Sequence, residues 1–335
     1  GRGDGPRRAG AGRGGAAVVS AQLQVIPDAQ HDRRRYIGGS DVAAVLGISP
    51  WCTPLQLWEA KTAPALPHEG PASGPKRRGH RWEAVVAEML VEHLQDQGHT
   101  VQIVGSNTRY VDPERDYLAA EIDFEVRLDG EDEITNVELK TVHPFKASEW
   151  GEAGTDECPV WYTAQAMHGL GVTGRRRCLV APLFGADEIR AYPVLRDEET
   201  IAAMRARCEA FWQLVQTGVR PDPTTLADLD RLYQGDDTIP ALIADDELTA
   251  KVLRLRAIKA EIKARELEAE AIEFDVKRAM RDAVELVIPG DEKKVAISWK
   301  ERATTWLDQA ALKEAHPKLH REFMRRGSTR VFTVK

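Results

Sequence analysis

Four residues in this sequence have the types and spacing for acid and metal chemistry: Glu83, Asp123, Glu138 and Lys140. Asp123 stands mid-way through "AEIDFEV", and Glu138 and Lys140 stand one residue apart in "NVELKT". Alternation along a strand puts Glu138 and Lys140 on the same face, which is costly unless that face is solvated or working. One hairpin earlier, Asp123 can come beside Glu138, with about 5 Å between directly opposed side chains. Two carboxylates that close repel, and a divalent cation relieves the repulsion. Hard oxygen donors with an open, watery remainder suit Mg²⁺, with Mn²⁺ as a substitute. Lys140 is then placed to orient or deprotonate a water, or to steady phosphate charge in a transition state. The cation can itself make that water a nucleophile. An isolated E-L-K is more often a salt-bridged edge strand; Val137, Leu139 and Val142 around it, and Asp123 before it, shift the balance. Glu121 and Glu125 alternate onto the face of Asp123, so the motif acid is Asp123 or a neighbour two residues away.

Three strand-like runs position these residues: 100–111, 117–128 and 133–142, separated by "DPERD" and "DGEDE", as an antiparallel meander. Before them, a loop "HEGPASGPKRRGHR" leads into an amphipathic helix, "WEAVVAEMLVEHLQDQG", with Val86, Leu90 and Leu94 at helical spacing. This reading puts Glu83 in the first turn, where a carboxylate is also favoured by the helix dipole. Further upstream, Ser40 or Asp41 is expected to N-cap "DVAAVLG", which Gly47 ends. Ser40 behind two glycines makes an anion site, the competing reading being that its hydroxyl only caps the helix. Thr53 is expected to cap a second helix with Pro54 at its first position. Beyond the meander, "PVWYTAQAMHGLGVTG" reads as a helix of about 11 residues, with strands in "RRRCLVAPLFG" and "DEIRAYPVL" and a helix over 197–217. The fold class is therefore α/β, a mixed sheet flanked by helices. "KRRGHR" and "GRRRC" are candidate phosphate contacts; His143 and His168 read as packing or hydrogen-bonding residues rather than ligands.

The 335 residues divide into a Gly- and Arg-rich tail, expected to be disordered, over 1–30, a core over 31–220, and a linker over 221–245. A helical arm over 246–286, and a hairpin, helix and terminal strand over 287–335, complete the expected organisation. The first segment is too poor in apolar residues for a secretory signal, and the absent initiator Met is expected from processing or truncation. No apolar run is long enough to span a membrane. A net charge of −7 argues against a protein that coats nucleic acid, though not against an enzyme that grips it locally. The four cysteines have no metal-ligand spacing and are expected to be reduced thiols in a cytoplasm.

The segments around the acids resemble one known family. The D…E-L-K pattern is similar to the PD-(D/E)xK nuclease motif. "YIGGSDVAAVLGISPWCTPLQLWEAKT", "GHRWEAVVAEM", "PVWYTAQAMHGLGVTG" and, more loosely, the segment from "VAISWK" onward resemble the YqaJ-type viral recombinase family, which includes lambda exonuclease. The resemblance runs from about 31 to 218. It departs where Ile122 and Phe124 flank Asp123, and where Met167 stands in place of a second Gln. The resemblance implies a restriction-endonuclease-like core and a Mg²⁺-dependent deoxyribonuclease, working 5′ to 3′ on double-stranded DNA ends in phage-type recombination. The alternatives are an endonuclease of the same fold and an inactive DNA-binding or assembly module. Glu83, Asp123, Glu138 and the Leu139 carbonyl are implied as metal ligands, and Lys140 as the catalytic lysine. Gln165 would orient Lys140 or the attacking water, with Tyr162 one turn earlier at the substrate side, and Arg33 and Ser40 would hold a 5′ phosphate. A single-strand annealing partner, a homo-oligomer, and the cytoplasm of a bacterium or phage-infected host are further family expectations.

Overall fold

The computed structural model describes residues 24–25, 32–64, 74–236, 238–290, 294–325 and 331–334; the side chains of 24–25 and 74–80 are outside that description, as is most of the expected disordered tail. The chain divides into two units, 1–232 and 233–335.

The first unit opens with β1 (Gln24–Val25), a 3₁₀ turn over Arg33–Arg35, α1 (Gly39–Val45), α2 (Pro54–Thr62) and α3 (Gly74–Asp96). The meander follows as β2 (Val101–Val111), β3 (Ala119–Leu128) and β4 (Thr135–Val142), and then come α4 (Val160–Thr173) and β5 (Arg177–Phe184). It closes with β6 (Glu188–Ile189), β7 (Tyr192–Leu195), α5 (Glu198–Thr217) and α6 (Leu226–Leu232). The strands form one mixed sheet in the order β1-β2-β3-β4-β5-β6, with β7 also on β5. β2–β3 and β3–β4 are antiparallel, whereas β4 and β5 run parallel across the α4 crossover. One face carries α1, α4 and α5 over Ile122, Cys178 and Val180. The other carries α3, whose Val86, Leu90 and Leu94 pack on Phe124, Val137, Leu139 and Leu179. The expected mixed sheet between helices is therefore borne out.

Several boundaries differ, each for a local reason. The helix holding Glu83 begins at Gly74, not after the basic run, so Glu83 lies well inside α3 and its placement owes nothing to a first-turn dipole. α1 begins at Gly39 with Gly38 as N-cap, so neither Ser40 nor Asp41 is the cap. Asp41 instead reaches back from the third position to accept the Gly38 N–H at 3.0 Å. Gly47 does end that helix, at φ +73, and Thr53 caps α2 ahead of Pro54 as expected. The segment expected as a plain linker contains α6, pinned to α2. Buried Asp228 accepts from the Thr53 hydroxyl at 2.7 Å, and Arg231 pairs with Glu59 at 2.7 Å.

β3 departs most from a regular strand. Ala120 and Ile122 pack on the α4 side, but Phe124, Val126 and Leu128 pack on the α3 side. Strict alternation would keep all five on one face, so the strand turns over at Asp123. On the neighbouring strand Asn107 sits between the Ser106–Phe124 and Thr108–Ile122 pairs, in the left-handed region at φ +49. Asn is one of the few non-glycine residues that tolerate that conformation.

In the second unit, α7 (Asp246–Met280) is capped by Asp245 and laced by the Glu247–Lys251 and Glu273–Lys277 pairs at i,i+4. It stops short of the expected end at 286, and β8 (Glu285–Val287) and β9 (Val295–Ser298) form the expected hairpin, with Gly290 at φ +93. The single helix expected next is two, α8 (Gln309–Ala315) and α9 (Pro317–Phe323), because Pro317 cannot continue the first. Residues 331–334, expected in a final strand, are not in one. Among the described residues no helix is long and apolar enough to cross a membrane.

Candidate active site

The turnover of β3 opens the site. The β3–β4 ladder ends at the Phe124–Val137 pair. Beyond it the Leu139 N–H donates to Asp123 Oδ2 at 2.8 Å, so a carboxylate stands where a strand carbonyl would otherwise accept. Glu138 and Lys140 both point to the α4 side. Glu138 is 5% exposed, and its Oε1 accepts from both Lys140 Nζ and Gln165 Nε2. Lys140 Nζ also lies 5.2 Å from the centre of the Tyr162 ring. Tyr162 in turn stacks on Trp150 with 5.4 Å between centroids. Asp123, Glu138, Lys140, Gln165 and Tyr162, spread over three elements, thus meet at one place.

Glu83 joins from α3. It lines, with Asp123, Phe124, Leu139 and Asn107, an open cleft of about 480 Å³. Burial pushes the Asp123 carboxyl well above the usual range, and the negative charges of Glu138 and then Glu83 push it the same way. Burial would lower the Lys140 ammonium, but Glu138 and Asp123 outweigh it and hold the amine protonated. In this state Lys140 is a cation and not a base.

The three acids of β3 are placed differently. Glu125 is on the α4 face, consumed by Arg175 at 2.5 Å, Tyr110 OH at 2.8 Å and Thr108 Oγ1 at 2.7 Å. Glu121 is exposed. Asp123 is the acid that meets β4.

A second cluster flanks the first. Arg33 Nη2 donates to Ser40 Oγ at 2.6 Å, so the expected pair does meet. Its support went unread in the sequence. Lys61, 7% exposed, donates to the carbonyls of Arg33 and Tyr36, both at 2.6 Å, and to Asp41 Oδ2 at 2.7 Å. A lysine four residues after buried Leu57, on the apolar stripe of α2, was the available signal. Gly39 ties the two clusters together: a Cβ there would come 3.1 Å from Gln165 Cγ.

Two other expectations sort differently. Of the "GRRRC" arginines, Arg175 is held against Glu125 inside the fold and Arg177 pairs with Glu131 at 2.8 Å, whereas Arg176, 3.8 Å from Glu133, keeps its side chain on the surface. Of "KRRGHR", only Arg81 has a described side chain. His168 is buried and lies 2.9 Å from the Ala119 carbonyl, and His143 caps a 3₁₀ turn over Pro144–Glu149, both as expected.

With these residues in place, comparison with known proteins is direct. Residues 29–176 match the family model of the YqaJ-like viral recombinase domain. The resemblance read from the motifs is thereby borne out. The chain is also 26% identical over 312 residues to the protein described as "Uncharacterized protein YqaJ" of Bacillus subtilis (strain 168), covering 91% of this chain and 92% of that one. Among solved structures, an alkaline exonuclease (LHK-Exo) from Laribacter hongkongensis is 17% identical with a TM-score of 0.43, over 56% of this chain and 90% of that one. A phage related exonuclease from Haemophilus somnus 129PT is 12% identical with a TM-score of 0.37, over 55% and 95%. The YqaJ-like match spans α1 to the end of α4 and so contains every residue assembled above.

Proposed function

We propose that this chain is a metal-dependent deoxyribonuclease that hydrolyses DNA phosphodiesters, acting 5′ to 3′ on double-stranded ends in phage-type recombination. The observation that carries the reading is the convergence of Asp123, Glu138 and Lys140 where β3 leaves β4, with Gln165 holding Glu138 from α4. The YqaJ-like match supports the substrate class.

Among the described residues no three of His, Cys, Asp and Glu are already grouped around one point for a metal ion. The donor chemistry nevertheless fits one: Asp123 and Glu138 offer hard oxygens, Glu83 lines the same cleft as Asp123, and burial first, then the charges of Glu138 and Glu83, disfavour a bare carboxylate at Asp123 that a cation would neutralise. Glu83, Asp123, Glu138 and the Leu139 carbonyl would hold Mg²⁺, with Mn²⁺ as a substitute. When bound, the cation supplies Lewis acidity and a water of lowered pKa. Lys140, protonated, places positive charge beside the phosphoryl group, where charge develops in the transition state. Tyr162, its ring 5.2 Å from the Lys140 ammonium, would face the substrate. Gln165 fixes the Glu138 carboxylate, and Arg33 with Ser40 offers a guanidinium and a hydroxyl side by side to a terminal 5′ phosphate. A single-strand annealing protein, a homo-oligomer and the cytoplasm of a bacterial or phage-infected cell complete the reading.

The deciding experiment is a time course in Mg²⁺ on 5′-labelled linear duplex, with and without a 5′ phosphate, beside a closed circle. Mononucleotide release from the phosphorylated 5′ end, with the circle intact, is expected. A nicked or linearised circle would replace the exonuclease by an endonuclease. An untouched linear duplex would end the nuclease reading.

A further inference from the structure

Trp51 sits in the turn between α1 and α2 and is 67% exposed. Single exposed hydrophobic residues are ordinary, but this one is fixed in place. The Ser49 hydroxyl accepts from the backbone N–H groups of Trp51 and Cys52, each at 3.2 Å, and the next residue, Thr53, caps α2. The indole leans on Trp161 edge-on with 5.8 Å between centroids, and on Tyr162 at 6.0 Å. Tyr162 is the ring that lies under the Lys140 ammonium. Trp51 is therefore one ring removed from the lysine of the candidate active site, on its rim, with most of its surface in solvent.

We propose that Trp51 is a stacking platform for a nucleobase of the strand being cut. The inference rests on the nuclease reading and adds to it a base-binding subsite. Every base has a π-face, so an indole accepts any sequence, and the Lys140 ammonium beyond Tyr162 matches the backbone phosphates that a stacked base brings along. A ring held by a pinned turn and two aromatic neighbours loses little freedom on binding.

The test uses the full chain with Ca²⁺ in place of Mg²⁺ and two probes, an oligothymidylate and a blunt 5′-phosphorylated duplex. Affinity is read by anisotropy and contact by quenching of indole emission. Trp51→Leu is expected to lose part of the quenching and to bind roughly tenfold to a hundredfold more weakly, while Trp51→Phe retains most of the affinity. Melting curves check that both variants remain folded. If Trp51→Leu binds and quenches as the parent does, the platform is overturned. That outcome leaves the nuclease reading standing whenever the parent still degrades linear duplex in Mg²⁺. A parent that neither binds nor cleaves DNA overturns both.

Discussion

The Leu139 N–H donates to the Asp123 carboxylate at 2.8 Å, at the point where the β3–β4 ladder gives out. This contact places the acid but does not make its charge welcome, since burial, Glu138 and Glu83 all raise its pKa. Asp123→Asn keeps an acceptor for that N–H and removes the charge. The variant should melt a few degrees higher than the metal-free parent, on a scale of about 2–4 °C per kcal/mol, and should not cleave DNA. Because the carboxyl is raised in the fold, the parent gains stability as pH falls through that raised value, and the Asn variant lacks the gain. Melting curves against pH, without metal, read both effects.

Lys140→Ala and Glu138→Gln should each lower kcat by about a hundredfold to a thousandfold or more, since each removes a charge fixed at the reacting centre. Both proteins should stay folded by circular dichroism. Full activity in the two variants would refute the assignment.

Gly39→Ala puts a methyl group 3.1 Å from Gln165 Cγ and displaces the side chain that holds Glu138. Activity should fall about tenfold. In a Gln165→Ala background the same change should cost almost nothing, which a double-mutant cycle on initial rates measures.

Lys61→Met leaves the carboxylate of Asp41 and the carbonyls of Arg33 and Tyr36 without their shared donor. Removing one partner of a buried pair destabilises by about 3–5 kcal/mol. Denaturant titration should show that loss. The surviving folded protein should discriminate less between 5′-phosphate and 5′-hydroxyl ends, because the turn carrying Arg33 is no longer held.

Burial lowers the pKa of His168, which rests on the Ala119 carbonyl. Below about pH 6.5 the unfolded chain takes up a proton that the folded chain refuses, so this residue's contribution makes the fold less stable as pH falls and levels off below the folded value. His168→Gln should flatten that slope, and the difference in melting temperature between parent and variant across pH isolates it from the opposite contribution of Asp123.

The sequence by itself determined the order of the core helices and strands from α1 to α5, the meander around "AEIDFEV" and "NVELKT", and the residues that assemble the acid–lysine site. Those are local properties: alternation, caps such as Thr53, and a stop such as Gly47 act within a few residues. The turnover of β3 at Asp123 was not legible, because strict alternation predicted Glu121 and Glu125 on the same face, and only packing on both sides of the sheet breaks that rule. The start of α3 was hidden by its glycines and proline, and α6 by a stretch whose anchor, Thr53, lies far away in the chain. Tertiary structure alone decided that Glu125 belongs to Arg175, that Lys61 holds the turn of Arg33, and that Trp51 stands beside Tyr162. Each is a meeting between elements remote in the chain, and burial, which gives a charge or an exposed ring its meaning, exists only once those elements have packed.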